Sequence, residues 1–357
     1  MRKIGVLGLA VALTCVCSGV LNAQTKHAPS LEESLSLKTI GGARISPDGR
    51  FIVYRVRETD WKENAYVRQI WLANVTTGAS FQLTRGKKSS DAPEWSPDGQ
   101  WLAFIGEREA NAIVHAGAAE KKEGKDEKKE GDGKPAARQI WVISPDGGEA
   151  WELTQQEEDI AGFHWSKDGK QIAFTAPTVE SKSEKERKEK YSEYEVFEED
   201  FRQNQLWVAD ASEGEAQHSP VKARQITRDA ALNVNGFAWS PDGKRIAFGA
   251  THNPMLAFAG GEDIYLADLA KDNAVRKIVA LDGPDRDPMF SPDGKQIAFG
   301  TALAQPYFYY AKGTLLWWMW SEYLRSRRQN PGTCRTSRHN LMKIREFLSG
   351  VRMGFIL

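Results

Sequence analysis

The chain has 357 residues, enough for one large repeat domain or two ordinary ones, and its 48 Lys and Arg balance 48 Asp and Glu to a formal net charge of zero. Whole-chain electrostatics therefore exclude the basic excess expected of a nucleic-acid partner. Twelve Trp is a high count for this length, and Trp, bulky and strand-compatible, suits an all-β core.

Residues 1–23 read as a Sec-type signal peptide. Arg2 and Lys3 form a basic start, Ile4 to Val20 is mostly apolar, and Leu21-Asn22-Ala23 resembles a small-residue cleavage site before Gln24. The expectation is a periplasmic or secreted protein with no membrane attachment after cleavage; an uncleaved anchor is the alternative. Cys15 and Cys17 lack the preceding small residue of a lipid-attachment site and leave with the signal. The mature chain keeps Cys334, which has no internal disulfide partner.

Residues 24–45 form a lead-in segment in which Leu31 to Lys38 looks like a short helix or capping turn. It runs into Ser46-Pro47-Asp48-Gly49, the first of five near copies of one corner. The others are Ser96-Pro97-Asp98-Gly99, Ser166-Lys167-Asp168-Gly169, Ser240-Pro241-Asp242-Gly243 and Ser291-Pro292-Asp293-Gly294. Pro presets φ, Asp and Ser bond the local backbone, and Gly takes the positive φ that closes the turn. An aromatic usually precedes the corner and a run such as Ile246-Ala247-Phe248 follows it, so each copy reads as a hairpin. A second signature lies between corners: Gln69-Ile70-Trp71-Leu72-Ala73, Gln139-Ile140-Trp141-Val142-Ile143, Gln205-Leu206-Trp207-Val208-Ala209 and Asp263-Ile264-Tyr265-Leu266-Ala267. Closing strands such as Gln82-Leu83-Thr84, Trp151-Glu152-Leu153-Thr154 and Gln225-Ile226-Thr227 come next. Two hairpins make a four-stranded unit, the size of a propeller blade. The expected fold is all-β: a β-propeller over residues 46–313, with about four complete blades and a partial fifth in an incomplete ring.

The corner serines are 50, 70, 74 and 51 residues apart. The two long spacings hold insertions, residues 116–137 and 178–203. Within the first, Glu120 to Lys134 carries six Lys, six acids and no apolar residue, which predicts a disordered loop. The second begins as a charge run and ends in Tyr191, Tyr194, Phe197 and Phe201, a spacing that would put the aromatics on one side of a helix. From Thr314 to Leu357 the repeat is lost, and eight Lys or Arg face two Glu. The stretch 314–357 reads as a non-repeat, out-of-frame tail. The alternative is a real C-terminal helix with Leu341, Ile344, Leu348 and Val351 along one face.

The Leu35-Ser36-Leu37 lead-in, Ile45-Ser46-Pro47-Asp48-Gly49, Gln69-Ile70-Trp71-Leu72 and Gln82-Leu83-Thr84 together resemble the propeller domain of bacterial prolyl oligopeptidase family serine peptidases, of dipeptidyl-peptidase and acylaminoacyl-peptidase type. The resemblance covers roughly residues 31–313. It implies a propeller that caps an α/β-hydrolase domain and admits short peptides. Family propellers have about seven or eight blades. The nucleophile of that domain sits in a Gly-x-Ser-x-Gly elbow, which this sequence lacks. The resemblance therefore implies a chain truncated before the catalytic domain and inactive as it stands. A TolB-like periplasmic binding propeller is the second reading. It would carry a small α/β domain before the blades, for which residues 24–45 are too few.

Dipeptidyl peptidases of this family hold a Glu-Glu pair on a short helix inserted in the propeller, where it binds the substrate's free amino terminus. Glu198 and Glu199, in Tyr194-Glu195-Val196-Phe197-Glu198-Glu199-Asp200, match it in position; a solvated helix face is the structural alternative. No catalytic residue, metal site or cofactor is implied. His164 and His252 have neither an elbow nor ligand spacing beside them, and the corner aspartates are explained by their turns. Asn74-Val75-Thr76 matches a glycosylation acceptor at a strand end. An open ring would expose the lateral apolar faces of its terminal blades, so self-association is expected.

Overall fold

The structure is a computed structural model that describes residues 28–107, 137–192, 201–229, 231–253, 255, 261–281 and 283–302, together with the backbone of 314–319. A short helix, α1 (Leu31–Leu35), opens it. Ser30 Oγ accepts from Glu33 N, and the Glu33 carboxylate accepts from Ser30 N, which satisfies two otherwise unpaired donors. Of the short helix or capping turn expected over Leu31 to Lys38, the structure has the helix, one turn long.

Five antiparallel sheets follow, four of four strands and one of three. The first contains β1 (Thr39–Ile45), β2 (Phe51–Asp60), β3 (Ala65–Asn74) and β4 (Ser80–Gln82), and the second β5 (Ser90–Trp95), β6 (Leu102–Gly106), β7 (Gln139–Ile143) and β8 (Trp151–Glu152). The third has β9 (Gly162–Trp165), β10 (Gln171–Pro177), β11 (Asn204–Asp210) and β12 (Arg224–Gln225). The fourth has β13 (Asn233–Trp239), β14 (Arg245–Thr251), β15 (Asp263–Asp268) and β16 (Ala274–Val279). The fifth has β17 (Asp285–Phe290), β18 (Gln296–Thr301) and β19 (Thr314–Met319). In each sheet the strands pair in chain order, so each sheet is a meander, the architecture of a propeller blade.

The corner is one hydrogen-bonded unit repeated five times. Each Ser Oγ donates to its Asp Oδ1 at 2.5–2.6 Å. The same Oγ accepts the backbone N–H five residues after the Ser at 2.9–3.0 Å. Asp Oδ1 also accepts the N–H two residues beyond it at 3.0–3.1 Å. The corner glycines have φ between 67° and 74°, the left-handed region that disfavours a Cβ. The corners also stack from blade to blade. A Cβ on Gly99 would lie 3.3 Å from Pro47, one on Gly169 3.5 Å from Pro97, and one on Gly294 3.4 Å from Pro241.

The Gln and Thr of the second signature form a clasp that the strand pattern does not reveal. Thr84 Oγ1 donates to Gln69 Oε1 at 2.9 Å and accepts Ile70 N, while Gln69 Nε2 holds the carbonyls of Gly86 and Lys88. Gln139 with Thr154, and Gln205 with Thr227, repeat it. These side chains are buried and satisfied, as burial requires. The clasp fastens the connection from the outer strand of one blade to the inner strand of the next.

The core lies between blades. Val53, Ile70 and Leu72 of the first blade pack on Trp95, Leu102, Phe104 and Trp141 of the second. Equivalent layers join blades two and three, three and four, and four and five. The Trp before the corner adds a directed bond to each of three junctions. Trp95 Nε1 donates to Arg44 O (3.3 Å), Trp165 Nε1 to Glu94 O (3.3 Å) and Trp239 Nε1 to His164 O (3.0 Å). The accepting residue always lies two positions before the preceding blade's corner serine. Phe290 occupies the Trp position in the fifth blade and has no such donor.

Three features depart from the sequence reading. In blade three a helix that the sequence pattern did not suggest, α3 (Ala211–Gln217), joins β11 to β12, N-capped by Asp210, whose side chain accepts from Glu213 N. The charge run of the second insertion is itself helical, α2 (Lys182–Tyr191), and Ser192 at φ 65° ends that helix; Tyr194 and Phe197, expected on one side of a helix, lie outside the described residues. Residues 314–319, expected outside the repeat, form β19. Phe299 pairs with Leu316 as Phe104 pairs with Trp141. The Gln-Ile-Trp signature is replaced there by Thr314-Leu315-Leu316, so the strand is visible only through its pairing. Residues 303–313 and 320–357 lie outside the described residues.

Candidate functional site

Strand alternation gives every blade two ends. The five corners lie at one end. At the other lie the connections from second to third strand, which span residues 61–64, 107–138, 178–203, 252–262 and 302–313. Both long insertions therefore leave from the end opposite the corners.

The insertion after β10 has a closed neck. Pro177 pairs with Asn204, and Thr178 N donates to Gln203 O at 2.9 Å. Beyond the neck, α2 starts at a capping box in which Ser181 Oγ accepts from Glu184 N (3.2 Å) and the Glu184 carboxylate from Ser181 N (2.6 Å). Hydrogen bonds from the Ser181 hydroxyl and N–H hold the Glu184 carboxyl below the usual carboxylate range. Lys188 pairs with Glu180, tying α2 back to the neck. At the far end Arg202 Nη1 lies 2.7 Å from Glu158 Oε2. Glu158 is buried, and an ion pair with a buried member is costly to break, so this bond anchors the returning chain. Glu198 and Glu199 lie between these anchors and outside the described residues, with Tyr194 and Phe197.

The two histidines sit at blade junctions. His164 Nδ1 is 2.8 Å from Glu94 Oε2, its ring meets Phe237 edge-on at 5.2 Å, and Glu94 Oε1 accepts Trp165 N at 3.0 Å. His252 Nε2 lies 3.6 Å from Asp229 Oδ2. Asn74 is engaged in its own turn, its Oδ1 accepting the N–H groups of Thr76 and Thr77.

Two groups of charged side chains at the insertion end escaped the sequence reading. Where blades four and five meet, burial pushes the Glu262 carboxyl up, against a hydrogen bond from Asn235 and the charge of Arg286. Burial likewise pushes up Asp285, against bonds from the Thr301 hydroxyl and Leu281 N–H, the latter 2.9 Å. Where blades one and two meet, Arg55 Nη1 lies 2.5 Å from Asp91 Oδ1 and Arg68 Nε 3.6 Å from Asp91 Oδ2. The alternation of Arg55 and Arg57 along a strand was the available signal for the second group. A cleft of about 440 Å³ lies on the other side of blade one, lined by Glu58, Asp60, Trp61, Gln69 and Gln82 among others.

No family model matches the sequence. The chain is 26% identical over 280 residues to the uncharacterized peptidase YuxL of Bacillus subtilis, covering 78% of this chain and 32% of that protein. It is 25% identical over 292 residues to dipeptidyl-peptidase 5 of Porphyromonas endodontalis, covering 75% of this chain and 38% of that one. The acylaminoacyl peptidase of Pyrococcus horikoshii superposes with a TM-score of 0.53 at 16% identity, over 81% of this chain and 39% of that chain; the likeness is one of fold. The chain is a peptidase-related propeller. It spans about a third of the length of the curated relatives it matches. The propeller's corner end is occupied by its own turn hydrogen bonds, whereas its insertion end carries the charged clusters.

Proposed function

We propose that these residues form the peptide-admitting propeller of a periplasmic or secreted serine peptidase acting on short peptides. The reading rests on the sequence similarity to dipeptidyl-peptidase 5 across three quarters of the chain. Glu198 and Glu199 are assigned the free amino terminus of the peptide, two carboxylates against one ammonium. Support comes from the closed neck at Thr178 and Gln203 and from the Arg202–Glu158 pair, which together tie down both ends of the segment that bears them. No acyl-transfer step is assigned to these residues.

Calorimetric binding of Ala-Ala-Ala amide and of its N-acetylated form tests the assignment, because the two differ only in the ammonium. The free amine should bind about tenfold more tightly, the effect of one charge-assisted hydrogen bond, and E198Q/E199Q should remove the difference. Equal binding of both peptides to the wild-type chain would end the assignment. Secretion is checked by expressing the whole chain in a bacterium and reading the mature amino terminus, expected at Gln24; protein retained in the cytoplasm with residues 1–23 attached would count against it.

The open side of the first blade further supports self-association. Ile40 and Ile45 are 71% and 62% exposed there, and Met289 on the facing side of blade five is 57% exposed. A head-to-tail contact would cover both.

A further inference from the structure

At the insertion end, blade one turns three guanidinium groups toward blade two and meets one carboxylate. Arg57 and Arg68 are directly opposed across β2 and β3, and Arg55, two residues before Arg57, shares their face. Lower on that face, Val53, Ile70 and Leu72 close the apolar junction. Arg55 crosses β1 where the chain has two glycines; a Cβ on Gly41 or Gly42 would stand 3.4 or 3.6 Å from its Nε. Beyond them Arg55 reaches Asp91, which Arg68 shares. Arg57 has no carboxylate partner among the described residues. Its guanidinium lies over the Tyr66 ring, 4.5 Å from the centroid, and its Nε is buried without a hydrogen-bond partner.

Like charges directly opposed on an antiparallel pair destabilise it, and a buried donor left unbonded adds a further cost. An anion between Arg57 and Arg68, held by the outer nitrogens, would relieve the first. The guanidinium is held in place by stacking on Tyr66, so little freedom remains to be lost on binding.

We propose that Arg57 and Arg68, with Tyr66 beside them, form a subsite for the C-terminal carboxylate of a short peptide. A planar guanidinium fork matches a planar carboxylate in two-point contact, and the half-exposed Tyr66 ring offers an apolar wall to the last side chain. The inference rests on the peptide-binding reading above but uses different residues and the opposite end of the ligand.

The test measures binding of N-acetyl-Ala-Ala-Ala, as free acid and as C-terminal amide, to the full chain by calorimetry. Acetylation removes the ammonium, so Glu198 and Glu199 play no part. The free acid should bind about tenfold more tightly than the amide. R57Q and R68Q should each erase that preference, while R57K, a point charge without the fork, should keep part of it. R57Q should melt at or above the wild-type temperature, because it removes one of two opposed charges; lost binding would then not reflect lost folding. Equal affinity for acid and amide, or an undiminished preference in R57Q, would overturn the subsite. A failed acid preference beside an intact amine preference sinks this subsite alone, and the converse sinks the glutamate pair alone.

Discussion

The two sides of the first blade are built from the same strands and meet opposite fates. On the side toward blade two, Val53, Ile70 and Leu72 are fully buried. On the other side Ile40 and Ile45 stand open, and Gly49 has no neighbouring proline where Gly99 has Pro47. The second blade shows what the open side lacks. Every residue of β6 is buried whichever way it points, because blade two has a neighbour on each side. Ile45 occupies the position of Trp95, Trp165 and Trp239, which are 6–8% exposed. An apolar pattern on both sides of a strand states a capacity for two neighbours; burial follows only where a second blade is placed.

The largest effect expected from this difference is in stability. Phe104→Ala, in the junction between blades one and two, should cost about 3–5 kcal/mol in urea denaturation, whereas Ile45→Ala should cost less than about 0.5 kcal/mol. Similar costs would mean that the open side is covered in solution. Trp239→Phe removes the bond to His164 O and should cost about 1–2 kcal/mol, from the lost bond and the smaller ring; the fifth blade already has Phe290 at this position, and Phe290→Ala should lose no directed bond.

The response to pH separates the corners from the junction of blades four and five. At the corners, hydrogen bonding from Ser46 holds Asp48 below the ordinary carboxylate range, and bonds from Ser291 and Lys295 N–H do so for Asp293. For Asp168 and Asp242 burial acts upward, and the Ser hydroxyl and main-chain donors together outweigh it. A depressed folded pKa contributes stability above the unfolded value, about 3.9, that is lost as pH falls through the folded one. Glu262 and Asp285 are displaced upward by burial, so the folded state binds protons first and these groups favour folding as pH falls toward the ordinary carboxylate range. Melting temperature should therefore rise or stay level on mild acidification and drop at lower pH. Asp285→Asn should flatten the first part and leave the second.

The smallest expected effect is on association. Wild-type mass by light scattering should increase with concentration, and Ile45→Glu should suppress that without lowering the melting temperature. A wild-type chain that stays monomeric over the same range would remove the head-to-tail contact.

Much of the fold was legible because its determinants are local. Ser-Pro-Asp-Gly closes its hairpin with bonds inside six residues, and the Gln and Thr signatures mark strands on either side of a turn. The readings that changed involve distance or local terms. β19 lacks the Gln-Ile-Trp residues and is defined by its register against β18. The charge run up to Tyr191 is helical because the capping box at Ser181 starts it and the Lys182–Glu186 pair supports it. For the candidate site, Glu198 and Glu199 rest on the sequence, and the structure adds the neck and the Arg202–Glu158 anchor around them. The Arg55, Arg57 and Arg68 cluster was hidden because Arg68 lies across a hairpin and Asp91 in the next blade.

By itself the sequence determined the corner, the strand alternation and the four-stranded unit, since turn chemistry and period-two patterning act within one blade. Only the tertiary structure decided which blade sides are covered, which connections share an end with both insertions, and that two of three clustered arginines share a single aspartate. Those outcomes depend on contacts between blades, and a repeated local pattern is the same whether or not a neighbour is present.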